Sequence, residues 1–367
     1  MLSKTPVLII LGAVLVTFLS CRKDAPEAPA PLPTPVAGSP VVMDLDSVPY
    51  ATLSHYNFFS GALAAQQPVT GVLPYEPITP LFSDHAHKDR FVWMPAGTAA
   101  SYVSDGTVLD FPDGAVLIKS FYFDNVQPEG GRRYLETRLM IKKEGAWIFA
   151  NYIWDQAQNE AVLDLAGAYV PITWTDGLGQ AHDQIYRIPS DVECFTCHKH
   201  YDEAIPIAPK PQNLNTSLAY ADGPMNQLEK WEQQGYLQPG WPSTIETVAR
   251  WDDPEESVDR RVRAYLDMNC AHCHAEGAHC DYRPLRLDWS DTTDPVNMGL
   301  CVTPEDPVDP SQTYILTAGN SARSMLFLRM SSTDEAIRMP LLGRTVPDED
   351  ALLLFADWID QMPATCP

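Results

Sequence analysis

From residue 90 to residue 187 apolar residues come in short runs broken by Gly, Pro and polar turns, the pattern of β-strands. Phe91-Val92-Trp93, Val116 through Phe123 and Tyr134 through Ile141 predict three strands, and Trp147-Ile148-Phe149 with Tyr152-Ile153-Trp154 extend the sheet. Many strands with turns between them suggest a sandwich. Further along, the period changes to that of helices. Ser190 and Glu193 have capping-box spacing, and Gln227 to Gln234 reads as a helix that Gly235 can end. Asp253, Pro254 and Glu256 open a longer segment in which Val258, Val262, Tyr265, Leu266 and Asn269 recur at helical spacing. Pro347-Asp348-Glu349-Asp350 begins a last helix with Leu352, Phe355, Ala356, Ile359 and Met362 on one face, able to pack on the previous one.

The N-terminus carries a different signal. Ser3 and Lys4 precede an apolar run from Val7 to Leu19, thirteen residues against the roughly 20 a spanning helix needs, which is a signal-peptide core. Phe18-Leu19-Ser20-Cys21 closes it in the manner of a bacterial lipobox, making Cys21 the candidate lipidation site; the alternative is an ordinary secretory signal with Cys21 incidental. Arg22-Lys23-Asp24 is similar to signals that send lipoproteins to the cell surface, and the Pro/Ala-rich stretch after it reads as a tether. The expected location is the bacterial cell envelope, lipid-anchored, periplasm-facing or on the outer-membrane surface.

In 367 residues, 25 Lys and Arg stand against 48 Asp and Glu, a net charge of −23. That argues against nucleic acid and against charge-driven binding to anionic lipid. It serves solubility and would favour a basic redox partner.

Eight cysteines sort by context. Cys194-Phe195-Thr196-Cys197-His198 and Cys270-Ala271-His272-Cys273-His274 both read CxxCH, the attachment signature of c-type haem. Two thiols three positions apart reach the two vinyl groups on one porphyrin edge, and the next residue sets an imidazole under the iron. The expected cofactors are two covalently bound haem c groups, with Cys194, Cys197, Cys270 and Cys273 as attachment points and His198 and His274 as proximal ligands. A four-cysteine zinc site is the alternative, and it leaves both histidines unexplained. In an oxidising envelope two of Cys280, Cys301 and Cys366 should form a disulfide, with Cys280 and Cys301 closing the most local loop.

For the second haem Met339, in Arg338-Met339-Pro340 ahead of the last helix, is the expected sixth ligand, with Met330 as its competitor inside an apolar run. For the first, Met225 is the candidate, or else it merely packs and that haem is open. His200, His272 and His279 read as surface residues, and Asp84, His85, His87 and Asp89 as a structured loop rather than a metal site.

Residues from about Tyr50 onward resemble a family of exported two-haem c-type cytochromes. The matching phrases are Pro80-Leu81-Phe82-Ser83-Asp84, Phe111-Pro112-Asp113-Gly114, Glu136-Thr137-Arg138-Leu139, Arg263-Ala264-Tyr265-Leu266-Asp267 and Met339-Pro340-Leu341-Leu342-Gly343-Arg344. The last two also resemble cytochrome modules fused to sugar dehydrogenases. The expected fold class is multidomain: signal peptide 1–20, tether 21–45, a β-rich sandwich-like domain 46–187, and two mainly α-helical cytochrome c-type modules, 188–250 and 251–367. The expected function is electron transfer to or from a redox partner protein, a dehydrogenase or another cytochrome. The alternatives are a peroxidase-like or other haem-dependent oxidoreductase with one open haem, and a sugar- or protein-binding role for the β-rich domain.

Overall fold

The computed structural model describes residues 38–363 and Cys366, so the expected signal segment, Cys21 and most of the tether lie outside it. Strands β1 (Phe59–Ser60) and β2 (Gln67–Pro68) form a small antiparallel ribbon. The main sheet holds eight strands: β3 (Leu73–Pro74), β4 (His87–Trp93), β5 (Val116–Val126), β6 (Gly131–Lys143), β7 (Ala146–Trp154), β8 (Ala161–Leu163), β9 (Ala168–Thr175) and β10 (Ala181–Ile188). Every pairing is antiparallel; β5 is central, flanked by β6 on one edge and by β4, then the end of β9, on the other. The predicted strands fall within these elements, and the two runs at 147–149 and 152–154 are one strand, β7.

Both sides of β4 to β7 are buried, so these strands alternate between two cores rather than between core and water, while β8, β9 and β10 expose alternate residues. One face presents Trp93, Ile118, Leu139 and Tyr152 to the N-terminal segment, with Leu53, Tyr56 and Phe58 packed on it. The other presents Val92, Leu117, Met140 and Trp147 to Leu214, Leu228, Trp231 and Leu237. The expected sandwich is therefore a single sheet whose two faces are covered by loops and short helices.

The two mainly α-helical modules are not found either. In 188–250 the helices are α1 (Asp191–Cys197), α2 (Pro211–Leu214) and α3 (Gln227–Gln234), interspersed with two hairpins, β11 (Lys199–His200) with β12 (Glu203–Ala204) and β13 (Ser217–Tyr220) with β14 (Gly223–Asn226). Pro206, Pro209, Pro211, Pro239 and Pro242 keep helices short here. Segments this short cannot enclose a core, and they bury their apolar residues on the sheet instead. Among the described residues of 251–367 three α-helices, α4 (Val258–Asn269), α5 (Met325–Ser331) and α6 (Glu349–Asp360), surround a core of their own, but the chain between α4 and α5 is largely irregular.

The helix ends explain themselves. Ser257 rather than Asp253 caps α4, its Oγ accepting from Arg260 N at 3.3 Å, while Asp253 serves the preceding turn through Glu255 N. Asp348 caps α6 through Ala351 N at 3.1 Å. The buried face of α6 is Ala351, Leu354, Phe355, Trp358 and Ile359, shifted from the predicted stripe at Leu352 and Ala356. It packs on α4 as expected: Phe355 meets Tyr265 edge-on at 5.5 Å, and Trp358 Nε1 donates to Asp259 at 3.3 Å.

One buried polar knot joins 188–250 to α4. Asp267 accepts from Lys210 Nζ (3.1 Å), Gln212, Asn213 and Trp289 N (3.1 Å), leaving its carboxylate paired and hydrogen-bonded as burial demands.

Candidate functional site: two adjoining cysteine-histidine clefts

Each CxxCH motif follows from local structure. Ser190 and Glu193 start α1, the Glu193 carboxylate accepting from Ser190 N at 2.9 Å and pairing with Arg187. The helix ends on Cys197, and His198 N donates back to Cys194 O at 3.1 Å. His198 then donates from Nδ1 to Ile205 O at 2.7 Å, which fixes the ring and leaves Nε2 free. Its ring lies 5.3 Å from that of Phe149 on β7. The second motif is a tight turn off the end of α4, with Cys273 N and His274 N both donating to Cys270 O at 3.0 Å. The loop is then held by Cys280 N to Cys273 O and Leu287 N to His274 O, each 2.9 Å.

Two clefts open beside these turns. The first is bounded by Cys194, Cys197 and His198, by Leu117, Met140 and Phe149 of the sheet, and by Pro206 to Pro209. The second is bounded by Cys270, Cys273 and His274, by Leu285, Leu287 and Ile315, and by Met330 and Met339. Both open to solvent, and most of the exposed lining of each is apolar. They share Cys197, Asn269, His272, Pro340 and Leu342 as a common wall. Across it Cys197 Sγ, Cys273 Sγ and a His272 ring nitrogen lie within 4.8 Å of one another, the sole group of three or more potential metal ligands this close among the described residues. Cys194 and Cys270 fall outside that group, so the four motif cysteines do not converge on one point. Tyr201 N donates to Gly277 O at 2.6 Å, and its ring fills the space a Cβ at Gly277 would need.

The electrostatics suit neutral ligands. Burial holds both His198 and His274 down to about 4, so both are uncharged imidazoles near neutral pH. Burial also pushes the Cys194 thiol up to about 11 and the Cys270 thiol up to about 12. Hydrogen bonding between Cys197 and Cys273 lowers the former and raises the latter. The Nδ1 atoms of His272 and His274 are buried without a hydrogen-bond partner.

The other sequence candidates are divided. Met339 lines the second cleft, and so does Met330, which is also part of the core around α4 and α6 as its apolar run predicts. Arg344 organises this loop: its guanidinium donates to the carbonyls of Met339 (2.7 and 3.0 Å), Met330, Arg329 and Ser332. Met225 lines neither cleft; it lies on the β13–β14 hairpin opposite Leu218, because the chain there folds back as strands rather than crossing the first motif. His272, expected at the surface, sits between the clefts. The disulfide is Cys301–Cys366, not Cys280–Cys301. The Cys280 N–H donates to the Cys273 carbonyl in the wall of the second cleft, while the Cys301 N–H donates to the Leu316 carbonyl, which Cys366 also approaches.

Asp84 and His85 both take positive φ, 50° and 62°, in the loop before β4. Asp84 bonds across to the segment after Met339; His87 stacks on Tyr122 and Asp89 accepts from Tyr134 at 2.6 Å.

Sequence reasoning missed a row of cations, Arg90, Lys119 and Arg138, in the wall of the first cleft. Their signal was a charge at a strand position whose same-face neighbours, Leu117 and Phe121 for Lys119, are apolar.

No family model, curated protein or solved structure matches this chain.

Proposed function

We propose that this chain is a two-haem c-type cytochrome that moves electrons in the bacterial cell envelope, one haem in each cleft. The observation that carries this reading is that each of two separate apolar clefts has its own pair of thiols and its own neutral imidazole in the wall, and that the clefts adjoin through Cys197 and Cys273. This donor set fits haem c: Cys194 and Cys197, and Cys270 and Cys273, would hold the two groups as thioethers, with His198 and His274 as iron ligands and Met339 as the sixth ligand of the second. When bound, haem supplies a reversible one-electron Fe(III)/Fe(II) couple. The chain's own part is to fix the His198 imidazole through the Ile205 carbonyl, surround both motifs with apolar walls, and bring Cys197 and Cys273 together so that an electron would have a short path between the groups. Cys21 is assigned to a lipid anchor, and a chain of net charge −23 suits a basic redox protein as partner.

The test is the cofactor content of protein matured in an exporting bacterial host. Two haems per chain that resist acidified-acetone extraction and give a c-type pyridine haemochrome are expected. Freely extractable haem, or zinc or copper held at Cys197, His272 and Cys273, would overturn the reading.

One observation favours a second reading, a haem-dependent oxidoreductase. Met225, the thioether expected for the first haem, lies outside the first cleft; Met140 and Met268 line it instead, and if neither reached the iron that haem would be open. Carbon monoxide binding to the reduced protein separates the two. An electron carrier binds little; stoichiometric binding with peroxide turnover at about 10 per second or faster marks an enzyme.

A further inference from the structure

Arg90, Lys119 and Arg138 stand directly opposite one another on β4, β5 and β6, in one row across the sheet. All three border the first cleft. Like charges in opposed positions destabilise a sheet, and burying them adds a desolvation cost unless each is paired. Arg138 is paired: the buried Glu136 accepts from its Nε and Nη2 at 2.7 and 2.6 Å. Arg90 and Lys119 are not. Arg90 is only 6% exposed, its Nε is sealed off without a partner, and its guanidinium makes no ion pair. The Lys119 ammonium has only the Phe121 ring, 5.1 Å away. The acids nearby are already engaged: Glu136 also takes the Tyr186 hydroxyl, and Glu193 pairs with Arg187. Two basic side chains thus stand without an acid partner in one wall of a cleft that also contains two thiols and an imidazole, and burial with the neighbouring cations pushes the Lys119 ammonium well below its usual pKa, so an anion there is what would hold it charged.

We propose that Arg90 and Lys119 form a carboxylate-binding site, and that it receives the two propionate carboxylates of the haem assigned to this cleft; the proposal rests on that assignment. The charge count matches, two carboxylates for two unpaired cations. An exchangeable anion would leave both cations unpaired whenever it dissociated, destabilising the fold each time. A covalently tethered one never leaves. Arg138 is neutralised by Glu136 and is not counted as a binding group. In this arrangement Arg90 and Lys119 raise the potential of the first haem, because their charge disfavours the more positive ferric state.

The test is a spectropotentiometric titration of the holoprotein as Arg90→Gln, Arg90→Lys and Lys119→Gln, with Met339→Ala used to mark which wave belongs to the second haem. Arg90→Gln and Lys119→Gln should each shift the first haem's midpoint downward and leave the second in place, which also shows that the variants are folded; Arg90→Lys should stay close to the parent. Two haems with potentials that neither Gln variant moves would overturn the proposal while leaving the cytochrome assignment standing. So would saturable binding of added nitrite or acetate to the parent protein that is lost in Lys119→Gln, since a free anion would then be the occupant. Fewer than two haems in the parent would instead reject the cytochrome reading itself.

Discussion

Asp84, ahead of β4, grips Thr345, at the far end of the chain: its carboxylate accepts the Thr345 N–H at 2.6 Å and the Thr345 hydroxyl at 3.0 Å, then the Val346 N–H at 3.0 Å. Three donors on one buried carboxylate tie the loop that carries Met339 to the sheet. Asp84→Ala should cost about 2–3 kcal/mol, the scale for losing charge-assisted hydrogen bonds. Asp84→Asn, which keeps an acceptor, should lose less. Urea unfolding reads the difference, and equal midpoints for parent and Asp84→Ala would show that the grip contributes nothing.

Met339 and Met330 both reach the second cleft, so single replacements decide between them. Met339→Ala should abolish a near-infrared thioether-to-iron band and lower one midpoint potential, since the thioether stabilises Fe(II). Met330→Ala should do neither. The reverse pattern would make Met330 the ligand.

Arg344 is a positioning residue for the same loop. Its planar fork spans four carbonyls, a geometry an ammonium cannot reproduce. Arg344→Lys should therefore weaken the near-infrared band without removing it, with an intermediate potential. A merely structural role would change thermal stability and leave band and potential alone.

The Cys301–Cys366 bridge closes a loop with a sequence separation of 65. Replacing both with Ser should lower stability by about 2–5 kcal/mol, while Cys280→Ser leaves the bridge intact. Peptide mapping under non-reducing conditions identifies the pairing directly, and a Cys280–Cys301 peptide would contradict it.

Lys210 carries a pH signature. Burial works against its charge, but Asp267 and Asp288 outweigh this and hold its pKa up to about 12. A cation whose pKa is raised on folding stabilises fully below the unfolded value of about 10.5, and that contribution disappears as pH climbs through about 12. The parent should lose about 2 kcal/mol over this window. Lys210→Met should be destabilised already at neutral pH and show a flatter alkaline limb.

The sequence was most legible where the chemistry is local. The CxxCH turns, the Ser190–Glu193 pairing, the α3 boundaries and the strands at 116–123 and 134–141 each depend on a few adjacent residues. Non-local choices were not legible. Nothing in Cys280, Cys301 or Cys366 reveals which two meet, because the bridge joins residues with a sequence separation of 65 and no local pattern records it. The helical modules were inferred from two motifs usually found in helical surroundings, yet the segment around the first has helices of seven, four and eight residues and borrows its core from the sheet. Arg90 and Lys119 were overlooked because a charge inside an apolar strand reads as solvent-facing until the opposite face proves to be covered too.

That borrowed core constrains what the first motif can do outside this chain. Leu214, Leu228, Trp231 and Leu237 rest on Val92, Leu117, Met140 and Trp147 of the sheet and on Tyr75, Leu109 and Phe111 beside it, all of them outside the segment. The segment 188–250 is thus not a portable cassette: gene fusion or exon-like shuffling that moved it alone would carry the attachment cysteines into a new context stripped of half their cleft. Any rearrangement that preserved it would have to take the sheet along as cargo, so this motif and these strands can be inherited only as one piece.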